Sequence, residues 1–136
     1  MLATFKKLAA PLEVPAWAAL RIVSGAAFMF HGVQKMFGMY SKFQPELGSQ
    51  VWVGGIIELV CGALIALGLL TRPAAFLASG TMAVAYIQFH WKLDFADGKW
   101  LPAVNQGELA LVYCFLFLFI CAKGAGPVSV GAKLER

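Results

Sequence analysis

The residues able to do chemistry in this chain are few, and they lie where polar groups are costly. His31, Glu58 and Glu108 interrupt or border long apolar runs. A histidine exchanges protons near neutral pH, and a carboxylate in apolar surroundings can do the same. These three are the candidate catalytic, proton-handling groups. Arg21, Gln34, Lys35, Tyr86, His90 and Asn105 add hydrogen-bonding capacity and charge at the same kind of position. They are the candidate ligand-binding groups, with Arg21 expected to balance carboxylate charge. Two histidines and two carboxylates could hold a metal, but no HxxxH, ExxH or HxH spacing occurs, so no metal site is expected. No P-loop, nucleophile elbow or GxGxxG appears either, which leaves hydrolase and nucleotide chemistry without support. Cys61, Cys114 and Cys121 form no CxxC. A thiol relay needs paired, reachable cysteines, so these read as small apolar packing residues.

The elements that must position these groups follow from composition. Of 136 residues, 60% are hydrophobic and 13% charged, and mean hydropathy is +0.75. A disordered chain needs the reverse, and a soluble domain this small lacks the interior for so many apolar residues. A bilayer core takes about 20 apolar helical residues per crossing. Four runs fit, at about 15–37, 51–70, 73–91 and 103–122. The expectation is one all-α domain over 1–136, an integral membrane four-helix bundle. Ten-residue alternating segments, the mark of a β-barrel, are absent. No cleavage site follows MLATFKKLAAPLEVPAW, so no secretory signal is expected.

The net charge is +4, and the basic residues flank apolar runs instead of interleaving with aromatics. That pattern favours a lipid bilayer over nucleic acid as the partner. Lys6, Lys7, Arg72, Lys123, Lys133 and Arg136 fall on one side of the four runs, against Lys35, Lys42, Lys92 and Lys99 on the other. The positive-inside rule then places both termini in the cytoplasm. In that orientation His31, Glu58, His90 and Glu108 all reach the outer part of the membrane, while Arg21 sits nearer the cytoplasm. Helical spacing gathers Arg21, Gly25, Phe28, Gly32 and Lys35 on one face of the first run, with His31 at its edge. Gly54, Glu58, Gly62 and Ala66 form a small-residue stripe that would admit a neighbouring helix. Ser79, Met82, Ala83, Tyr86 and His90 share a face, as do Asn105, Glu108, Val112 and Phe115. Trp17, Trp91 and Trp100 are expected at the interfaces, and FLFLFI (115–120) toward lipid. An outer polar cluster inside an apolar bundle suits a quinone, whose ring and tail need an apolar slot and whose carbonyls need polar partners. The same small residues and lone polar groups also serve as glue between helices.

The segments RIVSGAAFMFHGVQKMFG, GGIIELVCGALIALGLLTRPAAFLASGTMAVAYIQFHW and VNQGELALVYCFLFLFICAKGAGPVSV resemble the DoxX family of small bacterial membrane proteins. The R…G…HGxQK, GGxxE, LGLxTRP and NxGELA elements occur together and in order. The resemblance implies a four-helix protein of the bacterial inner membrane. Its family-like polar positions are Arg21, His31, Gln34, Lys35, Glu58, Arg72, Asn105 and Glu108. Related DoxD-type proteins are associated with thiosulfate:quinone oxidoreductase, and other DoxX-like proteins with redox and thiol-stress complexes. The resemblance therefore implies a membrane component of a quinone-, thiol- or thiosulfate-linked redox system. Oxidation of a sulfur compound would call for a redox protein partner. The alternatives are a non-enzymatic scaffold that recruits redox partners, and a small transporter working as a homo-oligomer.

Overall fold

The computed structural model describes residues 1–134 and is all-helical. Helix α1 (Leu2–Ala9) passes through a 3₁₀ turn (Ala10–Leu12) into α2 (Glu13–Phe37). Then come α3 (Gln50–Leu67), α4 (Thr71–Ala85), α5 (Pro102–Asn105), α6 (Glu108–Lys123) and α7 (Val130–Leu134). Beyond Ala85, Tyr86–Trp91 extends α4 as a π-helical turn. Two stretches, Leu2–Phe37 and Gln50–Leu67, are long and apolar enough to cross a membrane.

Local chemistry sets the helix ends. The Ser49 hydroxyl accepts the Trp52 amide at 3.2 Å and opens α3. α3 closes at Gly68, whose φ of 75° is the left-handed conformation that glycine adopts without a steric penalty. The apolar run continues to Leu70, but the helix does not. Pro73 occupies the first turn of α4, where its missing N–H leaves no bond unmade.

Packing is pairwise. α2 lies along α3, α4 lies along α6, and α3 touches α4 to join the pairs. Gly25 and Gly32 of α2 meet Gly62 and Gly55 of α3 in antiparallel order. A Cβ on Gly25 would stand 2.6 Å from the Ala66 nitrogen, and one on Gly62 would strike the Met29 backbone. Only glycine lets these backbones touch. The expected stripe is thus rotated at its start. Gly55 makes the contact, whereas a Cβ on Gly54 would meet nothing within 4 Å.

The inner face of α6 also differs from the expected one. Ala110, Tyr113, Phe117 and Ile120 turn inward, while Val112 and Phe115 are exposed. The FLFLFI run is therefore divided: Phe115, Leu118 and Phe119 face outward, but Phe117 and Ile120 are fully buried. Phe28 reaches across from α2 to lie 4.7 Å from the Phe117 ring and 5.4 Å from that of Tyr113. These large rings fill the space between α2 and α6. Trp17 is buried too, edge-on to Phe119 at 5.5 Å, with the Lys123 ammonium 5.3 Å from its ring centre.

The last long helix starts at Glu108 and not at Ala103. The short α5 ends at Gln106, which has φ of 60°, and Gly107 follows against the Tyr86 ring. A Cβ there would stand 2.7 Å from Tyr86 Cδ2. The loop before α5 is pinned to the bundle. The Tyr86 hydroxyl donates to the Trp100 carbonyl at 2.7 Å, and the Asn105 amide donates to the Lys99 carbonyl at 2.9 Å. Within the loop, the Lys99 ammonium at 2.7 Å and the Ala96 amide at 2.9 Å hold the Asp94 carboxyl below the usual carboxylate range.

Candidate functional site

His31 and Lys35 stand one turn apart on α2, and Glu58 faces them from α3. The Gly32 contact brings the two helices together here, and Gly55 leaves room for the Lys35 stem: a Cβ on Gly55 would lie 3.0 Å from Lys35 Cβ. The stem crosses α3, and its ammonium donates to Glu58 Oε1 at 2.6 Å. Glu58 is 3% exposed. Its Oε2 is buried and has no hydrogen-bond partner among the described residues. An unmet buried acceptor costs about 1–3 kcal/mol, so this half of the carboxylate is a place where a bound group would stabilise the fold.

Glu58 borders a cavity of about 800 Å³. Lys35 and both histidines also line it, His31 from α2 and His90 from the π-helical turn. Much of the remaining wall is apolar, including Phe28, Ile57, Met82 and Tyr113. A π-helical turn widens the helix by one residue per turn, and such turns concentrate at functional sites. Here the turn carries both His90 and Gln88. The Gln50 side-chain amide donates to the Gln88 carbonyl oxygen across the start of α3. His90 Nδ1 lies 3.3 Å from the Asn105 carbonyl oxygen, so one ring nitrogen is engaged by the loop.

Of the nine residues singled out from the sequence, His31, Lys35, Glu58 and His90 come together on this cavity. Gln34 is half-buried on α2 and does not border it. Tyr86 and Asn105 hold the loop, with the Asn105 amide 3.3 Å from the Tyr86 hydroxyl. Glu108 is exposed in the first turn of α6, where a helix dipole favours negative charge without any ligand.

Arg21 lies elsewhere and meets no carboxylate among the described residues. Its guanidinium, 1% exposed, donates to the Ile65, Ala66 and Val128 carbonyl oxygens, each at 2.6 Å. Two of these carbonyls close α3, where helical donors run out; Ile65 O is shared with the Gly68 amide at 3.1 Å, and Val128 O ties the tail to the same point. Arg72 meets the end of α6 in the same way from the surface, donating to Cys121 O at 2.8 Å and also to Ala122 O.

The sequence reading missed Tyr113, Thr81, Gln50 and Gln106, all of which line the cavity. Tyr113 shares the inner face of α6 with Ala110, Phe117 and Ile120, a face that a helix apolar all round does not mark in its sequence. Among the described residues, no three His, Cys, Asp or Glu side chains are grouped to hold a metal ion.

Comparison with known proteins identifies a family. The DoxX family model matches residues 16–91, the segment that carries Arg21, His31, Lys35, Glu58 and His90. A Haemophilus influenzae protein described as uncharacterized is 38% identical over 126 residues, covering 88% of this chain and 90% of its own length. No solved structure matches the chain. Over more than half its length, from the buried Arg21 through the glycine-packed pair α2 and α3 to the π-helical turn, this chain matches one family of membrane proteins, and it belongs to the DoxX family.

Proposed function

We propose that this protein is a four-span component of a redox system in the bacterial inner membrane, and that its cavity binds a quinone. α2, α3, α4 with its π-helical turn, and α6 are the spans. Both termini face the cytoplasm, in keeping with the excess of lysine and arginine on that side. The observation that carries the functional reading is the convergence of a lysine–glutamate pair and both histidines on one otherwise apolar cavity of about 800 Å³. That size falls in the range of pockets that enclose a drug-sized ligand. A quinone ring fits between apolar walls while its oxygens meet the polar groups. The Lys35 ammonium and an imidazole N–H are donors for a carbonyl oxygen. His31 is placed to pass a proton to the reduced ring, and Glu58 to accept one.

A quinone-linked role draws more support than a thiol-linked one. Cys61 is buried in the core, and Cys114 and Cys121 are half-buried, all three as free thiols. A thiolate that exchanges with a substrate needs an accessible, electropositive position. The electrons for the quinone would then come from a partner protein.

Quinone binding by the purified protein tests the reading. Lys35→Met and His31→Ala are each expected to weaken it about tenfold, the equivalent of losing one good hydrogen-bond donor to a carbonyl oxygen. Unchanged affinity in both variants would remove these residues from the role.

A further inference from the structure

We propose that the cavity selects the hydroxyl-bearing form of an amphiphile. An alcohol or phenol headgroup sits against Glu58, and an apolar tail leaves sideways between α3 and α4. This rests on the reading of the cavity as a small-molecule site. Two observations carry it.

The first is the hydrogen-bond inventory at Glu58. Lys35 occupies Oε1, and the buried Oε2 has no partner among the described residues. A carboxylate paired with an ammonium has only acceptors to offer. Whatever completes it must donate. A quinone carbonyl cannot donate, and its lone pairs would face those of Oε2. The O–H of a quinol, a phenol or a long-chain alcohol can. Lys35 carries three N–H groups, and one of them serves Glu58. The others suit the oxygen of the same hydroxyl, so the headgroup is held as both donor and acceptor.

The second observation is the shape of the wall. Gly54 of α3 and Gly80 of α4 both border the cavity, and a Cβ on either would meet nothing within 4 Å. Around them the border is apolar and exposed: Val53 on α3, and Phe76, Leu77 and Val84 on α4. From Phe76 to Phe89 this border runs along α4 and its π-helical turn for about 20 Å, at roughly 1.5 Å per residue. An apolar opening of that length facing lipid suits a tail. Of the two glutamines that border the cavity, Gln50 is bonded to Gln88, which leaves Gln106 as the one free amide on an otherwise apolar edge among the described residues.

The test is competition against a radiolabelled decyl-tailed benzoquinol. It uses the full-length protein in lipid nanodiscs under anaerobic conditions, with the matching benzoquinone and decanol as competitors. The unsubstituted protein is expected to bind the quinol at least about tenfold tighter than the quinone, since the donated bond goes to a charged acceptor. Glu58→Gln should erase that preference. Gly80→Leu, which fills the opening at an exposed position, should weaken the tailed quinol about tenfold while leaving the melting temperature unchanged. Decanol competing as strongly as the quinol supports the proposal and identifies the ligand as an alcohol. Decanol failing to compete supports it and identifies a phenol. Quinone binding as tight as quinol overturns the selection for a hydroxyl and leaves the quinone site standing. Binding of neither ring overturns both readings. The quinol–quinone comparison needs no variant, so it holds even if Glu58→Gln fails to fold.

Discussion

The two ends of the bundle each draw a cation inward, Arg21 fully buried and Lys35 part-buried, and they use it in opposite ways. At one end Arg21 places its two terminal nitrogens against three backbone carbonyls, away from the cavity that Glu58 borders. At the other, Lys35 meets a carboxylate that borders the cavity, and one of its two oxygens is buried without a partner among the described residues. Backbone carbonyls at a helix end are fixed in number and position, so an arginine that meets them completes a structure. A buried charge by itself is therefore a poor marker of a site in an apolar bundle. Orphaned polar atoms alone are no better, since Arg21 Nε, Trp17 Nε1 and Thr71 Oγ1 are also unpartnered and none of those residues lines the cavity. The combination that distinguishes Glu58 is an unfinished hydrogen-bond set next to room for a ligand.

Making the same replacement at both ends would separate these roles most sharply. Arg21→Met keeps most of the volume but strips the donors from three carbonyls. It should cost roughly 3–5 kcal/mol in thermal unfolding in detergent, near the top of the range for single substitutions. Lys35→Met should cost roughly 1–2 kcal/mol, since Lys35 is 28% exposed and water already screens part of the pair. Equal losses would erase the distinction between a structural cation and a site cation.

A smaller effect separates the two faces of α3. Gly62→Leu forces a side chain between two backbones and should destabilise by roughly 1–3 kcal/mol, the usual penalty for overpacking. Gly54→Leu, two turns away and facing the cavity, should change stability by less than about 0.5 kcal/mol. If Gly54→Leu proved as damaging as Gly62→Leu, the cavity at that point would be packed instead of open.

The smallest effect concerns the exposed loop at the cavity end. The Asp94 carboxyl sits below its ordinary value because Lys99 and the Ala96 amide hydrogen-bond its charged form. Its contribution to loop order is therefore present above about pH 4, the ordinary aspartate value, and is lost as pH falls through the lowered value. Trp91 and Trp100 fluorescence should stay constant from neutral pH to about pH 5 and change only below the ordinary value.

Much of the architecture was legible before any coordinates. Long apolar runs broken by Gly38 and Pro73 announce helices and their ends, though the end of α3 at Gly68 falls inside the run expected to reach Leu70. His31, Lys35, Glu58 and His90 stood out because a polar group in an apolar run is costly and keeps company with others of its kind. Arg21 was noticed for the same reason and given the wrong partner. Backbone carbonyls are its true acceptors, and they leave no trace in the residue types at positions 65, 66 and 128. α6 was misread because it is apolar all round. Without a polar face to phase the helix, nothing in the sequence favoured Tyr113 and Phe117 over Val112 and Phe115 as its inner side. Glu108 then looked inward by association. The π-helical turn was invisible because YIQFHW would continue an α-helix equally well, and the widening reflects how the turn seats against the loop through Tyr86 and His90.

The Arg21 cluster also has a consequence in time. Its acceptors arrive at very different moments of synthesis: Ile65 and Ala66 are added 44 and 45 residues after Arg21, and Val128 only 107 residues after it. A nascent chain carrying α2 and α3 already holds a buried guanidinium with one of its three acceptors still unmade. The cluster closes only when Val128 has emerged and the tail has folded back, with the Gly131 amide on the Gly68 carbonyl. Chains cut short before that point keep an arginine one acceptor short, so truncation ahead of Val128 should lower stability even with the glycine contacts of α2 and α3 complete.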